Sequence, residues 1–147
     1  MEGQELNLEM NPDQLVLNRI RTPDGTILTS KSRHDYQIHI DDNGLEYMVD
    51  GGLDYLRRNV HKDAPYEELS VTLGDGFNKV REALEWGSFG KEGQHDLIYK
   101  PVCQMSNAHI DAILDNNLGA DFVRGVLEHE WLYREKKRYC NRGLNYD

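Results

Sequence analysis

Cysteine is nearly absent from this sequence, and its scarcity excludes several classes of protein. Only Cys103 and Cys140 occur among the 147 residues. Two cysteines this far apart cannot form a Cys-x-x-Cys metal knuckle, and they do not imply a disulfide framework. The sequence therefore predicts no metal site, and it favours a reduced, intracellular setting.

Long apolar runs are also missing. No stretch approaches the roughly 20 apolar residues that a membrane-spanning helix needs, so we expect no membrane association. The first ten residues carry Glu2, Glu5 and Glu9 and contain no apolar core, so no signal peptide is expected. Together with the low cysteine content, these absences predict a cytoplasmic location.

The sequence contains fewer basic than acidic residues. Seventeen lysines and arginines oppose 26 aspartates and glutamates, which gives a net charge of −9 at pH 7. A broad acidic surface repels phosphate backbones, so direct nucleic-acid binding is disfavoured. The acidic surface either serves solubility or competes for a basic partner, as a nucleic-acid mimic would. No long run of carboxylates supports the second interpretation.

The first half of the chain contains two strong hairpin signals. Thr22-Pro23-Asp24-Gly25 separates the runs 15–21 and 26–29, and Asp41-Asp42-Asn43-Gly44 separates 34–40 and 45–49. Proline supplies a fixed φ and glycine a positive one, and Asn-Gly between alternating runs is typical of a hairpin. We expect a small antiparallel sheet of two successive hairpins.

The apolar spacing after Gly52 changes from that of a strand to that of a helix. It predicts a short helix over 53–60, and a second helix for which Asp75 is the N-cap. Ser106 predicts the start of a third helix, which Asn116-Asn117 would stop. A last helix is expected from about Asp121, with an apolar stripe that ends at Trp131.

These elements predict an α+β fold in which the two hairpins pack with three to four helices. A short strand is also expected over 97–100, and a glycine-rich loop over 87–93. We expect a flexible N-terminal arm over residues 1–14 and a single α+β domain over residues 15–147.

Three familiar motifs fail on their spacing. Gly90-Lys91 is followed by Glu92, where a phosphate-binding P-loop has Ser or Thr. If Gly44 is aligned with the glycine of a calcium loop, His39 takes the first ligand position. His129 has no second histidine four residues later, as a zinc protease would. We therefore assign no catalytic residue, metal or cofactor, and the interpretation leans away from an enzyme.

One group of candidate binding residues flanks the second hairpin signal in the chain. It consists of His34, Tyr36, Arg57 and Arg58. Adjacent guanidinium groups suit a carboxylate or a phosphate, and Asp35 beside His34 is a conceivable acid–base pair. The alternative is structural, because the same residue types commonly join a sheet to a helix.

A second group lies in the glycine-rich segment 87–93 and just before it. Trp86 and Phe89 can stack on a base or on a partner's side chain, and Lys91 adds a positive charge. Glycines also let backbone N–H groups approach an anion closely. The alternative is that the two aromatic rings fill the core between a helix and a strand.

Several blocks resemble proteins of tailed bacteriophages. The blocks are His34-Asp35-Tyr36, the run from Tyr47 to Arg58, the run from Trp86 to Lys91, and the run from Met105 to Ile110. In this order they are similar to a family of uncharacterised tailed-bacteriophage accessory proteins, over about Arg19 to Arg134. The resemblance implies a phage origin, a non-virion accessory role and no catalytic residues. Shorter phage proteins carry zinc-ribbon cysteines around their hairpins, but this sequence has none there, so no metal site follows.

The leading hypothesis is a phage-encoded, non-catalytic binding protein that interferes with host machinery or antiviral defence in the cytoplasm of the infected bacterial host. Its expected partner is a host protein or a small nucleotide. The alternative is a nucleotide binder, for instance of a cyclic-nucleotide signal, or a phosphodiester-cleaving enzyme that uses His34, Arg57, Arg58 and Lys91. A virion structural or assembly protein is a weaker alternative, and a homodimer is a further hypothesis.

Overall fold

The computed structural model describes the backbone of residues 10–90, 93 and 96–143, and the side chains of these residues as far as Arg138. The chain divides into two compact units. The strand unit comprises residues 11–75, and the helical unit comprises Met10 and the described residues from Gly76 onward. The predicted arm lies mostly in residues 1–9, which are outside the described residues, and the predicted single domain stays a prediction.

Short antiparallel strands build the strand unit. They are β1 Leu15–Leu17, β2 Arg19–Arg21, β3 Ile27–Thr29, β4 Gln37–Ile40, β5 Glu46–Asp50, β6 Arg57–Arg58, β7 Glu67–Glu68 and β8 Val71–Thr72. Both predicted hairpins form, as β2–β3 and β4–β5. Each hairpin gains a third strand, in the orders β3-β2-β7 and β4-β5-β6, and β1 pairs with β8. The two hairpins therefore belong to two small sheets rather than to one.

The turn of the second hairpin shows why its residues form it. The carboxylate of Asp41 accepts hydrogen bonds from the backbone N–H groups of Asn43 and Leu45, each at 2.9 Å. Gly44 has a φ of 82°, a conformation that L side chains rarely adopt. The side-chain acceptor and the glycine together fix the register of β4 against β5.

The core of the strand unit draws on both hairpins. Its buried cluster consists of Ile20, Leu28, Tyr47 and Val49. Burial of each large apolar side chain contributes about 1.5–3 kcal/mol. The hydroxyl of Tyr47 donates a hydrogen bond to the carbonyl of Ala64 at 2.7 Å, so the one polar atom in this cluster is satisfied.

The segment after β5 forms a glycine turn and strand β6, so the predicted short helix over 53–60 is wrong. The side-chain Nδ2 of Asn18 donates to the carbonyls of Asp50, Gly52 and Tyr55, at 3.0, 2.8 and 3.2 Å. These carbonyls are engaged by the buried side-chain amide of Asn18, which lies between β1 and β2, instead of by helical N–H groups. Tertiary hydrogen bonding therefore overrides the helical spacing of the apolar residues.

The described part of the helical unit contains three α-helices and a two-stranded hairpin. Their bounds are α1 Phe77–Ala83, β9 Glu85–Ser88, β10 Ile98–Pro101, α2 Asn107–Asp115 and α3 Asp121–Gly143. The predicted α+β fold with three to four helices is confirmed. Within the described ranges, no helix is long and apolar enough to cross a membrane.

The helix ends agree with the sequence signals in part. The hydroxyl of Ser106 accepts a hydrogen bond from the backbone N–H of His109 at 3.1 Å, so the predicted N-cap of α2 is confirmed. Helix α2 stops as predicted, and Asn117 beyond it has a φ of 56°. The predicted cap of α1 is wrong, because Gly76 rather than Asp75 holds the N-cap position.

A buried ion network joins the helices of the helical unit. Glu130 on α3 has no exposed surface, and Arg81 on α1 donates from Nε and Nη2 to its two oxygens, each at 2.8 Å. Arg134 donates from Nε to the same carboxylate at 2.6 Å. It also donates to the carbonyl of Val102 at 3.0 Å and to Oδ1 of Asn107 at 2.7 Å. The hydrogen bonds with Glu130 raise the pKa of Arg81.

Replacing Glu130 by alanine should lower the free energy of unfolding by about 3 kcal/mol, because two half-buried guanidinium groups would lose their counter-charge. Urea denaturation measures this difference. Glu128→Ala changes an exposed carboxylate on the same helix and should cost less than about 0.5 kcal/mol. Equal effects of the two substitutions would contradict a structural role for the network.

Candidate functional site

A groove with a volume of about 610 Å³ opens in the helical unit between the β9–β10 hairpin and α2. Pockets for small molecules typically span about 300–1,000 Å³. We name it the Trp86 groove. Its strand wall consists of Trp86, Ser88, Ile98 and Lys100, and its helix wall of Ala108, His109, Ala112 and Ile113, with Asn116 and Leu118 at the end of the helix wall.

The register of the hairpin brings the four residues of the strand wall to one face. Trp86 pairs with Lys100 and Ser88 pairs with Ile98. Residues directly opposite each other in an antiparallel ladder lie on the same face, and so do positions two apart along one strand. An indole, a hydroxyl and an ammonium group therefore share this wall.

The spacing of the helix wall follows the turns of α2. Ala108 and Ala112 are four residues apart, as are His109 and Ile113, so these residues lie on adjacent rows of one helix face. The two alanine side chains end at Cβ and leave space open beside the helix. Ile113 is buried and anchors this face in the core.

Trp86 contacts two other parts of the helical unit, His109 and Gly119. Its ring meets the ring of His109 edge-to-face, with centroids 6.3 Å apart and an interplanar angle of 88°. Gly119, in the loop between α2 and α3, also lies close to the indole. A Cβ added to Gly119 would lie 2.9 Å from Cζ3 of Trp86, and the φ of Gly119 is 79°. Both the backbone conformation and the close approach therefore require glycine.

The polar groups of the groove are few, and none of its described lining residues is acidic. Lys100 is exposed and its ammonium makes no ion pair with any described residue. The hydroxyl of Ser88 accepts a hydrogen bond from the backbone N–H of Gly90 at 3.0 Å. Nδ2 of Asn116 donates to the carbonyl of Ala112 at 2.8 Å. The described lining of the groove therefore holds one ammonium group and no carboxylate, in a protein of net charge −9.

The second group of candidate binding residues is described at Trp86 and Phe89. Trp86 is half-buried in β9 and lines the groove, so strand β9 replaces the first part of the predicted loop. Phe89 directly follows β9 and is 56% exposed, so it does not fill the core. Lys91 lies outside the described residues. Sequence reasoning missed Lys100 and His109, which neither glycine content nor aromatic spacing indicates.

The paired arginines lie in the strand unit, on β6 rather than on a helix. Arg58 donates from Nε and Nη2 to both carboxylate oxygens of Glu68, at 3.0 and 2.7 Å, and its side chain is only 7% exposed. Burial opposes ionisation of Glu68, but the hydrogen bonds from Arg58 hold the pKa of this carboxyl below its usual value. Arg57 lies 3.3 Å from the carboxylate of Asp50. Both guanidinium groups already have carboxylate partners.

His34 and Tyr36, the other members of this group, are exposed in the strand unit. The neighbouring carboxylate of Asp35 accepts hydrogen bonds from the backbone N–H of Lys31 at 2.8 Å and from Nε2 of Gln37 at 2.5 Å. Among the described residues, the structure shows no hydrogen bond between His34 and Asp35. The acid–base pair considered from the sequence therefore does not form.

A different histidine of the strand unit contacts both an aspartate and a threonine. Nε2 of His39 lies 2.8 Å from Oδ2 of Asp24 and 3.3 Å from Oγ1 of Thr26. A catalytic relay needs the acid and the hydroxyl on different ring nitrogens, so this cluster is not a triad. Hydrogen bonds from Thr22, His39 and Thr26 hold the pKa of Asp24 well below its usual value. The cluster stabilises the first hairpin turn.

Acid should weaken the contribution of Asp24 to stability. Because its pKa is lower in the folded than in the unfolded chain, this contribution is complete above about pH 4 and is lost as the pH falls further. Asp24→Asn should therefore lose less stability than the wild type between about pH 7 and about pH 3, measured as the urea midpoint. Asp42→Asn, an exposed neighbour, should follow the wild type. If Asp24→Asn lost as much stability as the wild type over this pH range, protonation of Asp24 would not be the cause of the loss.

Alanine at position 119 should destabilise the protein and disturb the Trp86 groove. The positive φ alone costs about 1–2 kcal/mol for a residue with a Cβ, and contact with the indole adds to it. Gly44→Ala is the matched control, since Gly44 has a φ of 82° and open space around its Cβ position. We expect the larger drop in melting temperature, and a shift in tryptophan fluorescence, only for Gly119→Ala. Identical behaviour of both variants would argue against the contact with Trp86.

Comparisons with known proteins leave the function to be argued from the structure. No family model matches the chain, and no curated protein or solved structure is significantly similar to it. The phage resemblance stays a prediction, and the geometry of the Trp86 groove is the basis for a functional proposal.

Proposed function

We propose that this chain is a phage-encoded, non-catalytic binding protein that interferes with host machinery or antiviral defence, and that the Trp86 groove is its recognition site. The observation that supports this role most directly is the groove of about 610 Å³, which has an aromatic wall and no carboxylate among its described lining residues. Sites with a mainly apolar lining and a few placed polar groups are typical of ligand binding.

Apolar side chains at the groove favour binding of a partner. Ile98 is 48% exposed and Leu118 is 46% exposed, and both line the groove beside the half-buried Trp86. Covering apolar surface contributes about 25 cal/mol for each Å² removed from water. Contiguous exposed apolar surface in a water-soluble protein commonly marks an interaction site.

The polar groups of the groove support binding more than catalysis. Ser88 accepts a hydrogen bond from a backbone N–H group, and the ring contact of His109 is with Trp86. A nucleophile–base pair would need a hydrogen bond between the hydroxyl of Ser88 and the imidazole of His109, and the described residues show none between these two side chains.

The phosphodiester-cleaving alternative has less support. It requires Arg57 and Arg58 to meet a phosphate, and each of them already pairs with a carboxylate of the strand unit. The third cation of that hypothesis, Lys91, lies outside the described residues. A host-protein partner, a homodimer, a virion role and a location in the host cytoplasm stay predictions.

Filling the groove should abolish the proposed activity without unfolding the protein. Ala112→Leu adds a bulky side chain to the helix wall, and leucine is a strong helix former. We expect affinity for the captured partner to fall by more than about tenfold, a loss above about 1.4 kcal/mol. The measurement compares co-purification of the partner, and phage plating efficiency, between variant and wild type.

Asn78→Leu is the matched control, because it places the same leucine side chain at an exposed helical position that does not line the groove. It should behave as the wild type in both assays. If Ala112→Leu kept full partner capture and full plating efficiency, the groove would not be the recognition site.

A further inference from the structure

We infer that the Trp86 groove binds a mononucleotide, with the base against the indole of Trp86 and the phosphate at the ammonium of Lys100. This assignment rests on the proposed function, since it takes the groove as the recognition site. It names the class of ligand, which the proposed function leaves open.

The aromatic half of the site suits a planar base. Trp86 lines the groove while only half-buried, and its edge-to-face contact with His109 holds the ring in place. Bases bind proteins by stacking on such side chains, with little dependence on sequence. Ala108 and Ala112 leave room for a flat ring beside the helix, because neither side chain extends beyond Cβ.

The charged half of the site lies directly beside the aromatic half. Lys100 pairs with Trp86 in the β9–β10 ladder, and Cβ atoms of opposed residues are about 5 Å apart. The ammonium group and the indole can therefore contact adjacent parts of one small molecule. Lys100 forms no ion pair within the described chain, and the described lining holds no carboxylate to compete with a phosphate.

Two polar side chains offer hydrogen bonds to the edge of a base. Nδ2 of Asn116 is engaged by the carbonyl of Ala112, so the carboxamide is held in place and its Oδ1 remains an acceptor. The hydroxyl of Ser88 accepts from Gly90 and can still donate. An apolar ligand without donors or acceptors would leave these groups unpaired.

A single nucleotide fits these observations better than a strand. The net charge of −9 repels a polyanion, whose binding needs an extended basic surface. The described lining offers one ammonium group in a groove of limited volume, which suits one phosphate group instead.

Tryptophan fluorescence provides a direct assay. The chain has two tryptophans, and Trp131 is 40% exposed on α3, so Trp131→Phe leaves Trp86 as the sole reporter. In this background we would titrate AMP, GMP, CMP, UMP and cyclic AMP. Adenosine, inorganic phosphate and a short single-stranded oligonucleotide serve as comparison ligands. We expect at least one of the nucleotides to quench Trp86 at up to millimolar concentration, and to bind more tightly than any comparison ligand.

Matched variants test the two halves of the site. Lys100→Met should weaken nucleotide binding about tenfold, as expected for one charge-assisted contact, and the loss should shrink at high salt. Lys79→Met, at an exposed position of α1 outside the groove, should bind as the wild type. Ala112→Leu should remove binding.

Several results would overturn the inference. Nucleotide binding that survives both Lys100→Met and Ala112→Leu would place the ligand elsewhere. If adenosine bound as tightly as AMP, the inferred contact between the phosphate and Lys100 would be wrong. If the oligonucleotide bound more tightly than every mononucleotide, the ligand would be a nucleic-acid strand instead of a mononucleotide.

Failure of the inference is distinguishable from failure of the proposed function. If no mononucleotide binds while Ala112→Leu still abolishes partner capture or plating efficiency, the nucleotide assignment is wrong and the recognition role stands. If nucleotides bind in the groove but Ala112→Leu changes neither partner capture nor plating efficiency, the ligand assignment stands and the proposed role is wrong.

Discussion

A carboxylate without exposed surface is the constraint on which the helical unit depends. Removing Glu130 from water costs several kcal/mol, and this cost is offset only while Arg81 and Arg134 remain bound to it. These bonds hold α1 against α3. Arg134 extends the network to the carbonyl of Val102 and to the side chain of Asn107, where α2 begins. One buried charge therefore fixes the relative positions of all three helices.

The geometry of the Trp86 groove depends on this network. Val102 directly follows β10, whose residues supply half of the strand wall, and Asn107 is the first residue of α2, which supplies the helix wall. Arg134 binds both positions, so the two walls are anchored by the same side chain. A site built on a hairpin and a helix that are joined in this way is pre-organised before any ligand arrives, which lowers the entropy cost of binding.

Local signals predicted much of this fold, and tertiary contacts explain where they failed. The hairpin turns at Gly25 and Gly44 and the cap at Ser106 depend on neighbours within a few residues, so the sequence indicates them directly. The predicted helix over 53–60 fails because Asn18, far away in sequence, binds the carbonyls of that segment. The buried stripe of α3 was expected to end at Trp131, which is 40% exposed, while Glu130 lies inside. Apolar periodicity cannot indicate a buried carboxylate whose partners lie on other elements.

The candidate site was predictable only at Trp86, because the other wall of the groove comes from α2, a later element of the chain. The overall charge points away from an anionic ligand, whereas the described lining of the groove holds Lys100 and no acidic residue. The charges that line the groove matter more to a ligand there than the overall charge does, since exposed charges are screened beyond about 8 Å at physiological ionic strength. The net charge of the whole chain therefore does not by itself exclude an anionic ligand from the groove. The few residues that touch a small ligand govern what the groove accepts.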